Sequence, residues 1–113
     1  MIKNLTKNRE LSNNAEVLDG VFSKFIGLMF SKEQKKALIF RFDKEKIISL
    51  HMFFVFYPID VVFLDKNNVV VDKKENFRPF TFFKSNKKAI YAIELPCGII
   101  KKTKTAIGDK IKF

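Results

Sequence analysis

Five side chains in this sequence could recognise or transform another molecule: His51, Asp60, Arg78, Phe80 and Glu94. Asp60 follows Pro58-Ile59 inside an apolar run from His51 to Asp65. A carboxylate in such surroundings must accept hydrogen bonds or find a cation, or its pKa rises. It could anchor a ligand or work as an acid or base; the commoner reading is an aspartate that caps a turn by accepting backbone N–H groups. Glu94 precedes Leu95-Pro96 at the end of a second apolar stretch. Paired with Asp60 across a cleft, it would give the two carboxylates of a hydrolase. Alone, it reads as a buried glutamate bonded to a cation or to the Pro96–Gly98 turn. Arg78 and Phe80 belong to Phe77-Arg78-Pro79-Phe80-Thr81-Phe82-Phe83-Lys84, where basic and aromatic residues interleave. Outward-facing rings there could stack on bases or sugars; inward-facing rings would complete a core.

Other chemistry is excluded or unsupported. His51 and Cys97 are the single histidine and the single cysteine. An internal disulfide, a cysteine-built zinc site and the two-histidine metal motifs are therefore ruled out. A Cys97–His51 dyad has no local support. No glycine-rich phosphate loop or Ser-His-Asp arrangement is present. No catalytic residue, metal or cofactor is assigned.

The net charge of +10 suggests nucleic acid. Yet 22 basic residues include only Arg9, Arg41 and Arg78 as arginines, and arginine is the favoured phosphate reader. Lys, Asn, Ile and Phe, all with AT-rich codons, dominate the chain, so codon bias and a solvated lysine surface explain the charge. Met1 to Leu11 is polar and lacks the apolar segment of a secretory signal. In Ile47 to Leu64, His51, Pro58 and Asp60 interrupt what a membrane span would need. The expectation is a soluble, cytoplasmic protein.

These side chains must be positioned by a single domain over 1–113, because 113 residues rarely make two. Asp19 offers an N-cap, and Phe22, Phe25, Ile26 and Met29 then recur at helical spacing, predicting an amphipathic helix over 20–30. Strands are expected at 37–42, 47–56, 59–64, 69–74, 89–95 and 110–113, with a charged turn at 43–45 and a helical turn or loop after Ile99. Pro58 breaks the ladder. Asn67-Asn68 signals a hairpin. Near the start only Leu5 and Ala15 hint at short strands. The expected class is α+β: a mostly antiparallel, curved or barrel-like sheet with one N-terminal amphipathic helix.

Five segments stand in a fixed order: Gly27-Leu28-Met29-Phe30, Ala37-Leu38-Ile39-Phe40, the block from His51-Met52 to Asp65, Ile93-Glu94-Leu95-Pro96-Cys97-Gly98, and Gly108-Asp109-Lys110-Ile111. In this the chain resembles the domain of unknown function 192 family over about residues 16–113, in an archaeal-type branch. Lys24 stands where that family's pattern has arginine, and Phe53-Phe54-Val55 where it has a polar Lys-Asn-Thr. The resemblance implies a small α+β, barrel-like fold and no established activity. The expected function is a non-enzymatic binding module for a small anionic or sugar-like ligand, contacted by His51, Asp60, Arg78, Phe80 and Glu94. A basic nucleic-acid-associated protein is the alternative, and a hydrolase using Asp60 and Glu94 the second alternative.

Overall fold

The computed structural model describes residues 1–19, 37–51 and 57–113, with His51 described by its backbone alone. In order, the elements are β1 (Ile2–Asn4), β2 (Arg9–Ser12), β3 (Ala15–Asp19), β4 (Ala37–Lys46), β5 (Ser49–His51), β6 (Ile59–Leu64), β7 (Val70–Phe77), β8 (Phe82–Lys84), β9 (Ala89–Pro96), α1 (Ile99–Thr103) and β10 (Ile111–Lys112).

Strand β6 shows why the layers stack as they do. Every one of its residues, Ile59-Asp60-Val61-Val62-Phe63-Leu64, is buried. Side chains alternate across a strand, so an apolar run broken only by Asp60 demands cover on both faces. The five-stranded sheet β3-β4-β9-β6-β7 carries β6 inside it. On one face Ile59, Val61 and Phe63 join Phe42, Ile48, Leu50, Phe77 and Ala92. The two-stranded ribbon β5-β8 packs here through Leu50 and the half-buried Phe83. On the other face Val62 and Leu64 join Ile39, Ile93 and Leu95, covered by Ile2, Leu11, Ile100 and Ile111. Those last four come from α1 and from the three-stranded sheet β10-β1-β2.

Local chemistry sets the turns. Between β6 and β7, the Asp65 Oδ1 accepts from the backbone N of Asn67 at 2.8 Å and of Val69 at 3.0 Å. Asn68 takes the left-handed conformation (φ 62°) that asparagine tolerates. Residues 43–45, expected as a turn, instead continue β4 to Lys46, with Asp43 and Lys44 exposed.

The expected α+β class needs correction. Among the described residues the protein is mostly β, and its single helix is the five-residue α1 near the C-terminal end. Among the described residues the sheets are open: the five-stranded one ends in two different edges, β3 and β7, and no closed barrel forms. The amphipathic helix expected over 20–30 lies outside the described residues, and no described segment before Ile99 is helical. Pairing is antiparallel throughout except for β3 with β4, which run parallel. No helix among the described residues is long and apolar enough to cross a membrane.

Phe63 is fully buried, with its ring 5.7 Å from that of Phe83. Truncating it opens a cavity under the β5-β8 ribbon. Phe63→Ala should lower the unfolding free energy by about 3–5 kcal/mol, read as a shifted denaturant midpoint. A loss below about 1 kcal/mol would mean that the ribbon does not cover this face.

Candidate functional site

Asp60 sits at the start of β6, 1% exposed. Its Oδ1 accepts from the backbone N of Asn76 at 3.0 Å. Its Oδ2 accepts from the backbone N of Gly98 at 3.0 Å and of Ile100 at 2.9 Å. One carboxylate thus fastens the end of β7 and the entry of α1 to the centre of the sheet. Gly98 needs its freedom there, with φ at 98°.

Glu94 lies on the opposite face. In β6–β9 pairing, Asp60 stands across from Leu95 and Glu94 across from Val61. Directly paired residues share a face and neighbours alternate. Asp60 therefore lies on the side of Val62 and Leu95, and Glu94 on the side of Val61 and Phe63. The structure does not bring the two carboxylates into one cleft. Glu94 is 8% exposed and has no hydrogen bond or ion pair among the described residues. Burial pushes its carboxyl up to about 8, so the group is largely protonated at neutral pH.

Arg78 is exposed and opens the turn Arg78-Pro79-Phe80-Thr81 between β7 and β8. The Thr81 hydroxyl donates to the Arg78 carbonyl at 2.5 Å. Proline second and a positive φ third are what a type II turn requires, but here the third residue is Phe80, with φ 63°. A bulky side chain is rare in that region. Phe80 and Phe82 are 62% and 67% exposed, whereas Phe77 and Phe83 turn inward. Beside the turn is a depression of about 320 Å³ lined by Lys74, Glu75, Asn76, Arg78, Thr81 and Phe82. Glu75 is paired with Lys73 at 3.1 Å, and the Lys74 ammonium lies 5.6 Å from the Phe83 ring centre. Arg78 makes no ion pair among the described residues.

Of the residues singled out from sequence, Arg78 and Phe80 share this turn, and Phe82 follows it at the start of β8. Asp60 reaches it only by holding the Asn76 backbone. His51 pairs with Phe82 in the β5–β8 backbone register, and its side chain lies outside what is described. Cys97 is exposed, 3.7 Å from the Asn76 Oδ1. Partial burial and then the Asp60 charge raise its pKa, the reverse of an activated thiol. No group of three His, Cys, Asp or Glu among the described residues could hold a metal.

Sequence reasoning missed Asn76, which sits in the left-handed region at φ 51° and lines the depression. Its signal was present, since an asparagine at the end of a strand and shortly before a proline favours such a bend. Also missed was a buried polar knot. The Asn4 amide donates to Asp109 at 2.9 Å and to Thr105 at 3.1 Å, and the Lys7 ammonium reaches Asp109 at 2.8 Å. Burial alone would raise the Asp109 pKa, but the Asn4 and Lys7 donors outweigh it and hold the carboxyl below its usual value.

Comparison with known proteins places this geometry in context. The family model DUF192, described as an uncharacterised ACR, matches residues 3–113. The sequence is 38% identical over 115 residues to a UPF0127 protein of Thermococcus sibiricus, covering all of this chain and 74% of the relative. It is 37% identical to a UPF0127 protein of Pyrococcus horikoshii, covering all of this chain and 98% of that one. The fold is similar to a crystal structure of a protein of unknown function from Novosphingobium aromaticivorans (TM-score 0.83, 16% identity, 99% of this chain and 81% of that one).

Two outcomes are expected here. Asp60→Ala strands the buried backbone donor of Ile100 and the part-buried donors of Asn76 and Gly98, and at about 1–3 kcal/mol for a buried unsatisfied group it should cost at least about 1 kcal/mol in a denaturant melt. Glu94 gives a pH signature. Folded, it keeps its proton to about pH 8, while the unfolded chain releases it above 4.5. The folded state therefore binds more protons between those values. Stability from this group is fully present below pH 4.5 and is lost as the pH rises toward 8, by at most about 1.4 kcal/mol per pH unit. Glu94→Gln should flatten that decline and be the more stable form at pH 8. Parallel wild-type and variant melting curves from pH 5 to 8 would show the carboxyl to be ionised.

Proposed function

This chain belongs to the DUF192 family of uncharacterised proteins, and from that premise we propose that it is a non-enzymatic binding module for a small anionic or sugar-like ligand. The carrying observation is the exposed guanidinium of Arg78, which makes no ion pair among the described residues, beside a depression that also presents the ring of Phe82. A guanidinium fork matches carboxylate and phosphate oxygens two at a time. An aromatic face offers an apolar body on which a sugar ring or another flat group can rest. A volume of about 320 Å³ suits one small molecule. Asp60 supports the rim from behind through its bond to the Asn76 backbone. The hydrolase reading loses its support, because Asp60 and Glu94 face opposite ways. A nucleic-acid partner stands second, on the charge of +10 and the two exposed rings. The same reading places the protein in the cytoplasm.

Titration of ¹⁵N-labelled protein with glucose 6-phosphate and with citrate tests the site. Saturable shifts should centre on Asn76, Arg78, Thr81 and Phe82. Arg78→Ala should weaken binding by at least about tenfold, as the loss of a charge-assisted hydrogen bond worth about 1.5–3 kcal/mol implies, with an unchanged melting temperature. If neither probe moves these resonances but a single-stranded oligonucleotide does, with affinity falling steeply in salt, the nucleic-acid reading replaces this one.

A further inference from the structure

A second concavity lies elsewhere on the molecule. It opens between β2 and α1 near the end of β9, with a volume of about 500 Å³. Leu11, Pro96 and Ile99 give it an apolar lining, while Arg9 and Lys102 stand on its walls and Asn13 at its edge. Leu11 is buried, and Ile99 packs against the sheet's inner cluster. Arg9 and Lys102 are exposed and make no ion pair among the described residues. One acid, Glu10, also lines the cleft, in register with Lys3 on β1, so the lining keeps a net positive charge. The floor makes no polar demand. The Thr103 hydroxyl donates to the Ile99 carbonyl at 2.7 Å, and the Ser12 hydroxyl donates to the Asn14 carbonyl at 2.8 Å.

We propose that the β2–α1 cleft is a separate binding site for an organic anion with an apolar body, such as a fatty carboxylate or an alkyl phosphate. Apolar atoms of the ligand displace water from the half-buried Pro96 and Ile99. Its anionic head lies between Arg9 and Lys102, whose charges have no ion-pair partner to give up among the described residues. Both halves are needed: the cations alone are ordinary solvated surface, and the apolar floor alone is too open to hold an uncharged chain. The volume falls within the range of small-molecule sites.

The test is a ¹⁵N chemical-shift titration with four probes below their micellar concentrations: octanoate, octyl phosphate, inorganic phosphate and octyl glucoside. Octanoate and octyl phosphate should give saturable shifts at Leu11, Asn13, Ile99 and Lys102. Inorganic phosphate and octyl glucoside should each bind at least about tenfold more weakly, the factor that 1.4 kcal/mol represents. Arg9→Ala with Lys102→Ala should reduce octanoate affinity by at least tenfold, and Arg9→Lys with Lys102→Arg should restore most of it, both with melting temperatures near wild type. Equal affinity for inorganic phosphate, unaltered binding by the double alanine variant, or octanoate shifts confined to residues 74–82 would each overturn the proposal. The last result would instead assign the ligand to the depression beside Arg78.

Discussion

A buried carboxylate in an apolar sheet is tolerable only if its lone pairs are taken, and Asp60 meets that condition with three backbone donors. Those bonds come from two segments distant in sequence. Consequently the end of β7, the Cys97-Gly98 turn and the first turn of α1 are fixed to β6 together. Both proposed sites take part of their shape from this. Asn76 is held at the rim of one depression, and Ile99 is placed in the wall of the other. Glu94 makes the contrast plain. It is one residue along in the pairing register, turned to the other face, and lacks donors among the described residues. The same chemical group is therefore a hydrogen-bonded fastener on one side of the sheet and, on the other, an inclusion whose burial favours the protonated form.

The turn after β7 concentrates the features that core stability does not explain. Phe80 is held at positive φ, and strain of that kind, of order 1–3 kcal/mol, persists where surroundings enforce it. Here the proline before it and the Thr81 hydroxyl bond help to enforce it. The consequence is local: Arg78 and Phe80 are displayed on a short bend closed by the Thr81 hydroxyl bond, with the Phe82 ring just beyond it at the start of β8.

Some of this could be read from residues alone. β6 was legible because a run of six residues, apolar but for Asp60, fits a strand covered on both sides, and the β6–β7 hairpin because Asn67-Asn68 suits its turn. The family was legible from motif order. The fold class was not, since the helix expected from Phe22, Phe25, Ile26 and Met29 falls outside the described residues and the rest is mostly strand. β1 and β2 escaped notice because Lys3, Arg9 and Glu10 dilute their apolar pattern. Their stability comes from Asn4 and from β10, at the far end of the chain, which local periodicity cannot reveal. The separation of Asp60 from Glu94 rests on cross-strand register. A single sequence gives each strand's alternation and not its alignment with the next.

Strand β1 sits between β2 and β10, and Asn4 reaches across to Thr105 and Asp109. Strand β1 is thus translated well before β10, its pairing partner. Until Ile111 has emerged from the ribosome, Ile2, Leu11 and the sheet face beneath them have no complete cover. Between those two points the nascent polypeptide exposes a greasy surface, and a lysine-rich exterior that keeps such intermediates apart from one another is an asset during that interval.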